Sequence, residues 1–105
     1  EGLLPVDGLI FLGYPLHPAN DTGRLRDSHL YGIDTPMLFF AGTRDPLCGL
    51  PILKRVLERL KAPWELLTIE GGDHSFHVPK ALHRREDEVF FEITGKAVEW
   101  LARKE

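Results

Sequence analysis

Two short apolar runs, each closed by a glycine, constrain the fold of this chain more than any other feature. Gly8-Leu9-Ile10-Phe11-Leu12-Gly13 and Pro36-Met37-Leu38-Phe39-Phe40-Ala41-Gly42 have no polar residue at alternate positions. A strand exposed on one face alternates apolar and polar residues. A strand apolar on both faces must be covered on both, which is the pattern of a parallel sheet between helices. Trp64-Glu65-Leu66-Leu67-Thr68-Ile69 reads as a third strand, more alternating and so nearer an edge.

Between the second and third strands, Leu53, Val56, Leu57 and Leu60 recur at helical spacing and make one apolar stripe. Pro51 suits the first turn of that helix and Pro63 stops it. A second helix is predicted over 87–103, with Val89, Ile93, Ala97 and Trp100 or Leu101 facing inward. Glu86, Asp87 and Glu88 at its start and Arg103 and Lys104 at its end match the helix dipole. Gly95 in its middle costs about 1 kcal/mol against alanine, so close packing is expected there. Phe39, Phe40, Phe90, Phe91 and Trp100 read as core. The long 13–35 connection holds a short helical piece near 25–31. Strands alternating with helices give an α/β fold, three parallel strands with flanking helices and right-handed crossovers.

At 105 residues the chain is one domain or less. With 43% hydrophobic and 28% charged residues it has the composition of a folded globular protein. A net charge of −3 with scattered basic residues argues against nucleic acid, and the His83-Arg84-Arg85 cluster is cancelled by Glu86-Asp87-Glu88. No apolar run reaches the length of a membrane span. The single cysteine, Cys48, cannot form an internal disulfide, so a reducing, cytoplasmic location is expected. Cys48 itself reads as a small buried residue rather than a nucleophile.

In an open parallel sheet, ligands bind beyond the carboxyl ends of the strands. Three loops leave those ends: Gly13-Tyr14-Pro15-Leu16-His17-Pro18, Gly42-Thr43-Arg44-Asp45-Pro46 and Gly71-Gly72-Asp73-His74-Ser75-Phe76. Adjacent parallel strands lie about 4.8 Å apart, so Asp45 and His74 could reach each other. A carboxylate on one imidazole nitrogen fixes the tautomer and frees the other as a general base, provided the ring is neutral. Three other readings stand beside this one. His74 could cap a turn, Asp45 before Pro46 could simply start one, and His74, His77 and His83 with Asp73 could hold zinc, although Pro79 argues for a loop and against the helix that zinc ligation would need.

"FFAGTRDPL", then "LLTIEGGDHSF", then a closing amphipathic helix resemble the C-terminal half of an α/β-hydrolase. "VDGLIFLGYPLHP" resembles the preceding strand and loop in small predicted hydrolases akin to dienelactone hydrolases and to the hydrolase-like domain of a histone-acetyltransferase complex subunit. In that superfamily the chain order is Ser, Asp, His. The resemblance implies Asp45 as the triad acid, His74 as the triad base, and Tyr14, Leu16 and His17 as residues of a substrate-binding loop. It implies hydrolysis of a small ester, thioester or lactone, of the carboxylic-ester hydrolase type, with no metal and no organic cofactor.

The nucleophile is missing from the pattern. The family's serine sits in a Gly-x-Ser-x-Gly elbow upstream of the acid, and here the only serines, Ser28 and Ser75, lack those glycines. Residues 1–105 are therefore expected to form a single partial domain, the C-terminal half of a hydrolase fold without its nucleophile-bearing half. Such a chain is expected to be marginal alone, to self-associate, or to pair with the missing half. A non-catalytic interaction module on a hydrolase scaffold, or an inactive fragment, is the alternative.

Overall fold

The computed structural model describes residues 8–103. The first apolar run forms β1 (Leu9–Leu12), the second β2 (Met37–Gly42), and the alternating run β3 (Trp64–Ile69). The three make one parallel sheet in the order β1-β2-β3, with Leu9 opposite Met37 and Met37 opposite Trp64. All six β2 residues are buried, as expected of a central strand without polar positions. Among the described residues β3 is an edge strand, as its alternation implies. β1 is the other edge among the described residues, and Leu12 at its end is 59% exposed.

Side chains alternate across the sheet and sort into two cores. Met37, Phe39 and Ala41 pack with Leu53, Val56 and Leu57 of α1 (Leu50–Leu57), and with Leu16 and Leu30 from the long connection. Leu38, Phe40 and Ile69 pack with Val89, Ile93 and Trp100 of α2 (Glu86–Ala102). The short helical piece in the connection is a 3-10 turn at Ser28–Gly32.

Pro51 lies in the first turn of α1 as expected, but the helix ends well before Pro63. The amides of Arg59 and Leu60 bond back three residues, to Val56 and Leu57, which tightens the chain out of the α-helix while Leu60 stays on the core. α2 begins where the Glu88 carboxylate accepts the Arg85 amide at 2.8 Å. Of the two inward candidates at its end, Trp100 is buried and Leu101 is not. Truncating a buried tryptophan costs about 3–5 kcal/mol, so Trp100 is a main anchor of this layer.

Two expectations for α2 are not met. Phe90 and Phe91 are 61% and 66% exposed rather than core. A Cβ at Gly95 would meet nothing within 4 Å, so no close packing requires that glycine. Val89, Ile93 and Trp100 take the sheet side, which turns Phe91 and Gly95 to solvent, while Phe90 lies on the flank beside Val89, Ile93 and the exposed Leu12. Among the described residues, no helix is long and apolar enough to cross a membrane.

Candidate active site

The loops after β2 and β3 are bonded to each other along their first residues. The Thr43 amide donates to Ile69 O at 3.1 Å, the Arg44 amide to Gly72 O at 2.9 Å, and the Gly71 amide to Thr43 Oγ1 at 2.6 Å. Contact is close enough that a Cβ at Gly42 would lie 2.0 Å from the Gly72 carbonyl oxygen. Only glycine at position 42 allows this approach.

This junction brings Asp45 and His74 together. His74 Nδ1 lies 2.9 Å from Asp45 Oδ2. The other carboxylate oxygen, Oδ1, accepts the Leu47 amide at 2.8 Å. The Asp45 side chain is completely buried and that of His74 is 37% exposed. With the carboxylate ionised, Nδ1 must carry the proton of a neutral ring, which leaves the Nε2 lone pair outward. Nε2 makes no hydrogen bond within the described residues. Asp45 also starts a turn, since the Cys48 amide donates to its carbonyl at 3.3 Å. The turn reading and the His74 contact thus coexist at one residue.

Behind the imidazole lies Gly13, at the end of β1. Its φ is +66°, and a Cβ there would sit 2.8 Å from the His74 carbonyl oxygen and 3.6 Å from ring atoms Cε1 and Nδ1. Asp73 shapes the histidine turn from the other side. Its Oδ1 accepts the amides of Ser75 at 2.9 Å and His77 at 3.0 Å. The His77 amide, then the Ser75 amide, hold the Asp73 carboxyl below its usual range.

The remaining loop residues are placed differently from the expectation of a binding loop. Leu16 is fully buried in the α1-side core. His17 is buried with both nitrogens occupied: Nδ1 donates to Pro18 O at 2.8 Å, and Nε2 accepts the Gly49 amide at 3.0 Å. Neither presents a surface to a substrate, because the first loop is pinned down onto the start of α1. Tyr14 is half-buried, edge-on to Phe11 and Phe39, with its hydroxyl donating to the Arg26 carbonyl and 3.2 Å from His29 Nε2. Burial raises the Tyr14 phenol above its ordinary value.

Cys48 is buried, and that burial pushes its thiol up to about 12, so it is not a thiolate near neutral pH. His77 faces Asp73 at 3.8 Å and Glu86 at 3.4 Å, away from the His74–Asp45 pair. Among the described residues, no three His, Cys, Asp or Glu side chains converge as a metal would require. The structure gives Gly13, Gly42, Thr43 and Asp73 supporting roles that the sequence reading does not assign them. A glycine closing each of the first two strands and an Asp two residues before Ser75 are the signals for three of the four; Thr43 has none.

A family profile described as an alpha/beta hydrolase domain matches residues 3–102 of the chain. The chain belongs to the alpha/beta hydrolase family. No solved structure gives a significant match. Three parallel strands with helices on both faces are consistent with part of an alpha/beta hydrolase domain.

Proposed function

We propose that Asp45 and His74 are the acid and base of a Ser-His-Asp hydrolase triad, and that the serine lies outside these residues. The observation that carries this reading is the 2.9 Å contact between a fully buried carboxylate and the inner nitrogen of an imidazole whose outer nitrogen stays open. Family membership and the chain order Asp before His support it.

In this reading His74 Nε2 takes the serine proton as Oγ attacks the acyl carbon. The same proton then passes to the leaving alcohol or thiol as the acyl–oxygen or acyl–sulfur bond breaks. Water repeats the sequence on the acyl-enzyme, releasing the acid and restoring serine and neutral His74. Asp45 holds the ring and offsets the positive charge while His74 carries the extra proton. The likeness to dienelactone hydrolases points to a small ester, thioester or lactone. The chemistry assigned to Asp45 and His74 calls on no metal or organic cofactor, and the first loop serves as support for His74 through Gly13.

Labelling with a fluorophosphonate, read by intact mass, tests this. The 105-residue chain alone should take no adduct, whereas a polypeptide that adds the family's elbow serine should take one, at a rate reduced about 10³-fold or more by His74→Ala. An adduct on Ser28 or Ser75 would contradict the proposal. Undiminished labelling in His74→Ala would contradict it as well, and would favour a binding module on a hydrolase scaffold.

A further inference from the structure

We infer that Asp73 is the positioning residue for His74: its carboxylate holds the turn 73–77 in the shape that keeps the imidazole against Asp45. The structural part of this inference belongs to the chain alone, and its kinetic part rests on the hydrolytic reading.

Four hydrogen bonds close the turn, and Asp73 takes part in every one. Its amide donates to His77 O at 3.0 Å, and its carbonyl accepts the Phe76 amide at 3.0 Å. Its Oδ1 accepts the amides of Ser75 at 2.9 Å and His77 at 3.0 Å. His74 lies inside this ring, and among the described residues its own main chain makes no hydrogen bond. The carboxylate belongs to the residue before His74 and grips the amide of the residue after it. One side chain therefore fixes the course of the chain through His74 from both sides.

The backbone shows why such a grip is needed. Phe76 has a φ of +64°, in the left-handed region that a bulky side chain rarely adopts. A conformation of that kind persists only where its surroundings over-determine it. The Phe76 ring is anchored on the α2-side core, and the two Oδ1 bonds, to Ser75 and His77 on either side of it, hold its backbone. Without them Phe76 relaxes toward negative φ, and the shift passes back through Ser75 to His74. Little room exists to absorb it. Contact with Asp45 is a single 2.9 Å bond from Nδ1, and the His74 carbonyl oxygen is only 2.8 Å from where a Cβ on Gly13 would stand.

For the position of His74, the geometry of Asp73 matters and its charge does not. The second carboxylate oxygen, Oδ2, is 3.8 Å from His77 Nδ1, beyond hydrogen-bond range, and His77 turns its other nitrogen to Glu86 at 3.4 Å. An asparagine here can place its carbonyl oxygen where Oδ1 stands and make the same turn. Alanine cannot.

Long-range ¹H–¹⁵N spectra of the folded 105-residue chain with His74 neutral test the inference without any added serine. Asp73→Asn should keep the Nδ1–H tautomer of wild type, whereas Asp73→Ala should show a mixture of Nδ1–H and Nε2–H. Both variants remove the same charge, so a charge effect would move them alike. A merely structural role would lower stability without changing the tautomer of the folded molecules. Where Asp73→Ala fails to fold, Asp73→Ser takes its place, since a hydroxyl makes this turn more weakly and should give the same change in part. In a polypeptide that adds the family's elbow serine, Asp73→Ala should slow fluorophosphonate labelling about 10–100-fold and Asp73→Asn about threefold or less. Absence of labelling in that wild-type polypeptide would count against the hydrolytic reading and leave the tautomers to decide this one. A pure Nδ1–H tautomer in folded Asp73→Ala, or the same mixture in Asp73→Asn as in Asp73→Ala, would overturn the inference.

Discussion

Asp45 and His17 are the two buried polar side chains of the described residues, and each is satisfied in a different way. Asp45 divides its oxygens between a backbone amide and His74. His17 spends both nitrogens on the backbone, tying the first loop to the start of α1. His17→Phe would fill the space but leave the Gly49 amide without its acceptor. A loss of about 1–3 kcal/mol in denaturant unfolding is expected, with the His74 environment unchanged by NMR; a neutral substitution would contradict the structural role. Asp73 gives a pH signature. Its folded carboxyl lies below the ordinary value of 3.8, so its contribution is present above that value and lost as pH falls through the lower folded one. The stability gap between wild type and Asp73→Asn should stay constant from neutral pH to about 4 and close below it; a gap independent of pH would show that the charge plays no part. The Asp45–His74 contact was legible in the sequence because both residues lie in loops that leave neighbouring parallel strands at the same end. The role of His17 was not, since its partners are backbone atoms, one of them at Gly49, far along the chain.

The elements that matter most for the site are the strand ends, where glycines 42 and 72 let two loops touch. Gly42→Ala would drive a methyl into the Gly72 carbonyl, which is backbone and cannot swing aside. About 2–3 kcal/mol of destabilisation is expected, together with loss of the Asp45–His74 contact. Gly95→Ala makes the internal control: same substitution, open space, and in dilute solution a gain of up to about 1 kcal/mol from helix propensity. Thermal unfolding of both variants measures the contrast, and equal effects would contradict the packing described. The three strands and their parallel order were legible because runs without polar positions leave little choice of environment. The facing of α2 was only half legible. Val89, Ile93 and Trp100 mark its core side, yet Phe90 on its flank and Phe91 on its far side are as apolar as they are, and composition cannot say which of these positions meets the sheet.

At the scale of the molecule, two helical layers sandwich a three-stranded sheet, and the Asp45–His74 pair stands where the loops after β2 and β3 join, with Gly13 at the end of β1 behind it. This placement follows from the parallel order, which gathers all three strand ends on one side. Among the described residues, exposed large hydrophobics include Leu12 at the end of β1 and Phe91 and Val98 on the outward face of α2. A hydrogen-bonded tautomer is the part of the account on which the rest depends. Because the Leu47 amide requires an oxygen at Oδ1, Asn at position 45 would turn its NH₂ toward His74 Nδ1 and force the proton to Nε2. A long-range ¹H–¹⁵N spectrum of neutral His74 should therefore report the Nδ1–H tautomer in wild type and the Nε2–H tautomer in Asp45→Asn. An Nε2–H tautomer in wild type, or a His74 signal indifferent to Asp45→Asn, would contradict the assignment of Asp45 as the residue that readies His74 to act as a base.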